Sequence, residues 1–230
     1  MSLLHSSLLF SIVVQIITGI IEIFSLFVKT PPGMAIIKQL LGIEVAVQAI
    51  EGAFYAWLYY NIHAVKNITP KRYADWALTT PTMLVTLVVY IIYLNANQST
   101  THAIESPLSL SQVLTENAVP ILQIIGLNWL MLLFGYLGET GVIQLVTGVV
   151  IGFFPFIAYF YIIYTRFIQS QSTPNNTSLK VYAYFLVFWS LYGIVAVLPY
   201  TLKNTIYNIL DLFSKNFFGL FLSYLIFQNR

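Results

Sequence analysis

The chain has 230 residues, of which 58% are hydrophobic and only 8% charged, with a formal net charge of +2. Soluble domains average about 25% charged residues, so this composition excludes an ordinary soluble domain and fits a protein with almost all its mass in a lipid bilayer. The small charge gives no reason to expect a nucleic acid as partner, and the absence of cysteine excludes disulfide and thiolate chemistry.

The length suits an all-α membrane protein, a seven-transmembrane-helix bundle forming one domain over 1–230. The first predicted helix spans about 5–28. It lacks a basic leader, and its apolar run is too long for a signal-peptide core. Ser11, Gln15, Thr18 and Glu22 recur at spacings of four, three and four, which places them on one face. Lys29 and Thr30-Pro31-Pro32-Gly33 signal a turn. The second helix, about 34–61, carries Glu44, Gln48 and Glu51 on one face with Tyr55. Carboxylates at membrane depth are not expected to face lipid. The third helix covers about 71–94. Arg72 and Asp75 share a face, as do Asp75 and Thr79. Pro81 lies inside this helix, and Thr79 or Thr80 is the expected partner of the backbone groups it frees. The stretch from Asn95 to Ser111, with His102 and Glu105, is the longest polar interruption.

The fourth helix, about 112–137, contains Pro120 and Asn128 and ends at Gly138-Glu139-Thr140-Gly141. The fifth, about 142–167, contains Pro155, and Gly148 and Gly152 have the spacing of close helix packing. A polar loop from Gln169 to Ser178 precedes the sixth helix, about 179–198, which carries Phe185, Phe188, Trp189 and Tyr192 and stops at Pro199. The seventh, about 203–227, lays Asn204, Asn208, Asp211 and Lys215 on one stripe. A lysine deep in a membrane helix costs about 3 kcal/mol or more. The apolar run after Lys215 leaves it too deep to snorkel, so it is paired, chemically modified, or facing a polar cavity. Lys29, Lys38, Arg166, Lys180 and Arg230 lie near one set of loops, and Lys66, Lys71, Arg72 and Lys203 near the other. This balance favours an outside N-terminus and a cytoplasmic C-terminus.

Seven helices, a lysine in the seventh with an aspartate four residues before it, and Arg72-Tyr73-Ala74-Asp75-Trp76 followed by Thr79-Thr80-Pro81 resemble the microbial rhodopsins over essentially the whole chain. Phe134-Gly135-Tyr136-Leu137-Gly138-Glu139 is similar to the proton-pumping branches. The resemblance implies all-trans retinal bound covalently to Lys215 as a protonated Schiff base, with Asp75 and Asp211 as counterions and Arg72 as the cation on their outer side. It implies Trp76, Thr79 and Thr80 along the retinal, with Trp189 and Tyr192 closing the pocket. The sixth helix lacks the proline usual among its aromatics, and Trp189 stands at or near that place.

Ser11, Gln15, Glu44, Glu51, Asn208 and Asn216, with the two core motifs, look most like the giant-virus rhodopsins of the first group. That likeness implies a non-enzymatic photoreceptor acting as a light-gated cation channel in a host cell membrane, passing monovalent cations or protons, with calcium inhibiting it. A homo-oligomer is compatible with it. The other readings are an outward proton pump, which would lack a donor because Thr86 stands at the donor position, and a sensory rhodopsin. A transporter or hormone-type receptor shares the hydropathy but explains neither motif. Singly, Ser11, Thr18 and Gln48 read as interhelical glue, whereas Glu44 and Glu51 read as functional. Glu22 reads as lying near the cytoplasmic interface, Lys203 as a helix-end anchor, and His63 and His102 as solvated. No histidine–carboxylate spacing suggests a metal.

Overall fold

A computed structural model of the chain describes residues 3–99, 108–170 and 175–230. Its helices are α1 (Leu3–Leu26), α2 (Ala35–Asn61), α3 (Thr69–Ser99), α4 (Leu110–Glu116), α5 (Ala118–Glu139), α6 (Leu145–Ile163), α7 (Asn176–Ala196), α8 (Tyr200–Asp211) and α9 (Phe217–Gln228). A 3-10 turn leads into α2, and π-helical segments extend α6 through Tyr164–Gln169 and join α8 to α9 through Leu212–Asn216. Among the described residues, seven helical spans are long and apolar enough to cross a membrane, the last running unbroken over Tyr200–Gln228. Spans of this length and hydropathy are those of a multi-pass integral membrane protein.

The sidedness of α1 is that of a membrane helix. Phe10, Val13, Ile16, Ile17, Ile20 and Phe24 face outward, and Ser7, Ser11, Gln15, Thr18, Glu22 and Ser25 are buried. Lipid replaces the hydrophobic effect as the outer solvent, so polar side chains are the ones driven inward. The third and seventh spans are the most enclosed, and they hold the bundle's axis. An apolar core of Leu87, Val88 and Ile91 from α3, Phe160 and Ile163 from α6, Phe185 from α7, and Phe218 and Leu222 from α9 fills one half.

A proline explains one of the boundaries. The single fourth helix expected over 112–137 breaks at Asn117 into α4 and α5. Pro120 lacks an N–H, and its ring clashes with the carbonyl four residues back, that of Glu116, the last residue of α4. Pro81 stays inside α3, but its freed acceptor is not served by a threonine. Trp129 Nε1 of α5 donates to Ala77 O at 2.9 Å, while Thr79 and Thr80 donate to the carbonyls of Asp75 and Trp76. The third helix also runs on through Asn95 to Ser99 where a loop was expected. Buried Asn95 donates to Phe167 O at 2.7 Å and accepts from Ser178 Oγ at 3.0 Å, so it ties α3 to α6 and α7 rather than ending a helix. His102 and Glu105 lie outside the described residues. The sixth span starts early because Asn175 caps it, accepting from Thr177 N and Ser178 N. At Gly148 an added Cβ would lie 2.6 Å from Phe134 O, so the glycine is what lets α5 and α6 touch backbone to backbone.

Candidate functional site

Hydrogen bonds order the inward faces into successive layers. Along α1, Ser11 Oγ donates to Asn208 O at 2.8 Å, and further on Thr18 accepts from Asn216 Nδ2 at 3.3 Å. Hence α1 runs parallel to the seventh span and directly against it, α2 packs antiparallel against both, and α3 runs parallel to the seventh span.

The first layer surrounds Arg72, which is fully buried. Its Nε donates to Asn204 Oδ1 at 3.1 Å, its Nη2 to Asn208 Oδ1, and its Nη1 meets Asp211 Oδ2 at 3.3 Å. Asn208 Nδ2 in turn reaches Ser7 Oγ, and Asn204 Nδ2 reaches Thr69 Oγ1, both at 2.9 Å. Phe54, Tyr55 and Tyr207 present their rings to the guanidinium at 5.7–5.8 Å. A buried cation needs such a shell, because its desolvation costs several kcal/mol before any partner is counted.

The second layer centres on Lys215 Nζ, the atom that would carry the retinal linkage. It donates to Asp75 Oδ2 at 2.6 Å and faces Glu51 Oε1 at 3.6 Å and Asp211 Oδ1 at 3.8 Å. Asp211 is held from the other side by the hydroxyls of Tyr55 and Tyr192, each donating at 2.8 Å. Asp75, Asp211 and Arg72, the residues expected to act as counterions and their cation, lie together here, with Asp75 nearest the nitrogen and Asp211 between Lys215 and Arg72. Glu51, expected only in an ion path, is a third carboxylate beside the lysine.

The third layer is neutral. Gln48 Nε2 donates to Gln15 O at 2.8 Å and to Thr18 Oγ1 at 2.5 Å, and Asn216 joins the same threonine. Gln48 and Thr18 act here as the interhelical glue expected of them. Gln15 contributes through its backbone. Beyond this knot, Thr86 Oγ1 donates to Glu44 Oε1 at 2.5 Å. Glu22 lies one turn past Thr18, near the end of α1, and is enclosed by the bundle at 1% exposure. Lys203 is more than an anchor: its Nζ sits 2.7 Å from Glu139 Oε1, both side chains buried, joining the seventh span to the end of α5. His63 is exposed, as expected.

An apolar cavity opens beside Lys215, lined by Trp76, Thr80, Met131, Trp189 and Tyr192. Thr79 does not line it, and holds instead to the Asp75 carbonyl. Gly135, Gly148, Gly152 and Gly193 also border it. Added Cβ atoms at Gly135 and Gly193 would come within 2.7 Å of Tyr73 and Phe153, so these glycines let the bulky rings around the cavity settle. Aromatic walls, a reactive amine at one end and carboxylates at that amine fit a long conjugated group carried on Lys215 as a cation. Trp189 and Tyr192 are in place without a proline between the aromatics.

A model of the family described as bacteriorhodopsin-like protein matches residues 5–229. Among solved structures, the viral rhodopsin OLPVRII is 29% identical with a TM-score of 0.81, each chain 99% covered. The blue light-absorbing proteorhodopsin from Med12 is 18% identical, TM-score 0.72, with 98% of this chain and 96% of that one covered. The proton pumping rhodopsin AR2 from the marine alga Acetabularia acetabulum is also 18% identical, TM-score 0.70, with 99% and 97% covered. The latter two share the fold. No curated protein matches the chain.

Proposed function

The chain belongs to the bacteriorhodopsin-like family, which holds retinal as a Schiff base on a lysine, and from that footing we propose that it is a light-gated cation channel, with retinal on Lys215 and an ion path between α1, α2, α3 and the seventh span. The observation that carries this reading is the file of buried polar side chains running from Asn204 and Arg72, past Lys215, to Glu44 and Glu22. Acidic and amide oxygens in such a file favour cations. With the N-terminus outside, as the basic-residue balance favours, Arg72 lies on the outer side and Glu22 on the cytoplasmic side.

Bound retinal supplies the light absorption and the change of shape that displaces the nitrogen of Lys215. In the dark that nitrogen is a cation lodged in the path, and it binds Glu51 of α2, Asp75 of α3 and Asp211 of the seventh span to one point. A cation entering from either end meets its repulsion. Asp75, at 2.6 Å, is placed to take its proton. That transfer neutralises the plug and loosens the tie between three helices, which biases their packing toward a second arrangement. Arg72 stays in its own cage of Asn204, Asn208 and Asp211 and keeps that end structured.

The test is the light-evoked current of a bilayer containing the retinal-loaded protein, recorded against voltage. A current that reverses at a voltage following the cation gradient supports the channel. A current that stays outward at every voltage overturns it and favours an outward proton pump. The short Lys215–Asp75 contact serves that second reading equally well, although Thr86 supplies no acid to complete it. Lys215→Ala should leave the protein colourless with retinal, and a visible band in that variant would remove Lys215 from the reading.

A further inference from the structure

The inner end of the file has a feature that neither gating nor proton transfer uses. Past the Thr18 knot several acceptor oxygens lack a partner, as does the hydroxyl of Ser223 one turn beyond Gly219. Both oxygens of Glu22, Oε2 of Glu44, Oε1 of Gln48 and Oδ1 of Asn216 are buried and lack a hydrogen-bond partner among the described residues. All four residues are at least nine-tenths buried. The two amides turn their nitrogens toward Thr18, so their oxygens are left over on the same seam. Neither Glu22 nor Glu44 forms an ion pair with a basic side chain among the described residues.

The seat of Glu22 is also shaped for it. Its carboxylate lies against Gly219, one turn beyond Asn216, where an added Cβ would run into both oxygens. Glu44 sits one turn from Gln48 on α2, and Glu22 one turn from Thr18 on α1, so the carboxylates and the amides come from adjacent turns of three helices. Buried polar atoms are nearly always partnered, and each orphan costs about 1–3 kcal/mol. Five orphaned carboxylate and amide oxygens drawn from three helices are of the type that a hard cation takes as ligands.

We propose that Glu22 and Glu44, with the free oxygens of Gln48 and Asn216, form a binding site for a hard metal cation, an alkali ion or a divalent such as calcium, seated between α1, α2 and the seventh span. The site lies one layer beyond Lys215, on the side away from Arg72. It stands whichever way the light-driven current runs, because it is a property of the dark protein.

The test is therefore made in the dark, without current. Retinal-loaded protein is unfolded thermally in N-methylglucamine chloride, and sodium, potassium or calcium chloride replaces that salt at constant ionic strength. Binding to the folded state raises the midpoint along a saturation curve, by roughly 5 °C or more at a hundredfold excess over the dissociation constant. The rise should vanish in Glu22→Gln and shrink in Glu44→Gln, and stay intact in Glu116→Gln, a change in an exposed carboxylate. Sodium or potassium alone acting would mark a site for an alkali ion, and calcium alone a divalent site. Either supports the proposal. Gly219→Ala, which displaces the Glu22 carboxylate without removing it, should also lose the rise and covers the case of a Glu22→Gln protein that does not fold. Equal rises in the wild type and both Glu22→Gln and Gly219→Ala, or no difference between the metal salts and N-methylglucamine, would overturn the site.

Discussion

Three carboxylates face the Lys215 nitrogen at different distances, so removing their charges singly should shift the colour of the retinal-loaded protein by different amounts. The separations are 2.6 Å to Asp75, 3.6 Å to Glu51 and 3.8 Å to Asp211. At an effective dielectric of about 20, unit charges so placed attract by about 6, 5 and 4 kcal/mol. Asp211 counts for less than its distance suggests, since Arg72 at 3.3 Å and the hydroxyls of Tyr55 and Tyr192 already engage its oxygens. A negative charge at the nitrogen stabilises the dark state, where the positive charge sits there, more than the excited state. Losing that charge therefore moves absorbance to the red. Asp75→Asn should give the largest red shift, Glu51→Gln a smaller one and Asp211→Asn the smallest. Visible absorption spectra of the three purified variants decide it. A Glu51→Gln shift equal to that of Asp75→Asn, or no shift in Asp75→Asn, would refute the assignment of the nearest counterion.

Lys203→Met should destabilise the protein by about 3–5 kcal/mol, because Glu139 is left as an unpaired buried charge, and Lys203→Met combined with Glu139→Leu should recover most of it. Thermal unfolding of the two single variants and the double one measures this coupling. Gly148→Ala should cost about 1–3 kcal/mol, since its Cβ would meet the Phe134 carbonyl and force α5 from α6, while Gly126→Ala, with open space around it, should be neutral or stabilising by up to about 1 kcal/mol. The same melts compare them. Trp129→Phe should cost about 1–3 kcal/mol by orphaning the Ala77 carbonyl beside Pro81, and an unchanged melt would show that the carbonyl needs no partner.

Much of the site was legible because helical spacing is a local rule. Arg72 and Asp75, three apart, and Asp211 and Lys215, four apart, had to share faces, and a lysine at that depth had to be paired, modified or set in a polar cavity. What spacing cannot give is the rotation and height of one helix against another. Glu51 therefore read as part of a stripe on α2, although it stands level with Lys215. Glu22 read as lying near the cytoplasmic interface, and spacing along α1 gave no sign of how fully the bundle encloses it. Its carboxylate lies against Gly219, a residue with no side chain to advertise the contact. The Lys203–Glu139 pair joins two turns that are distant in sequence, and Trp129 answers for Pro81 from another helix. In each case the missing information was a neighbour rather than a propensity. Pro120 was visible from the start, and its clash with the Glu116 carbonyl would have placed the break at Asn117.

The π-helical segment Leu212–Asn216 means that the seventh span holds one residue more than its length needs. The looser turn lets consecutive residues serve different neighbours, Lys215 toward Asp75 on α3 and Asn216 toward Thr18 on α1. It also exposes the Phe213 carbonyl, which takes the hydroxyl of Tyr184 on α7. Slack of this kind is mobile in principle, because it can be passed along a helix one hydrogen bond at a time. One residue corresponds to about 100° of rotation in an α-helix. If the surplus moved past Asn216 toward Gln228, the turns it crossed would swivel against α1 and carry Asn216 and Gly219 with them. A span built this way can turn part of its length like a key while both ends stay fixed in the membrane.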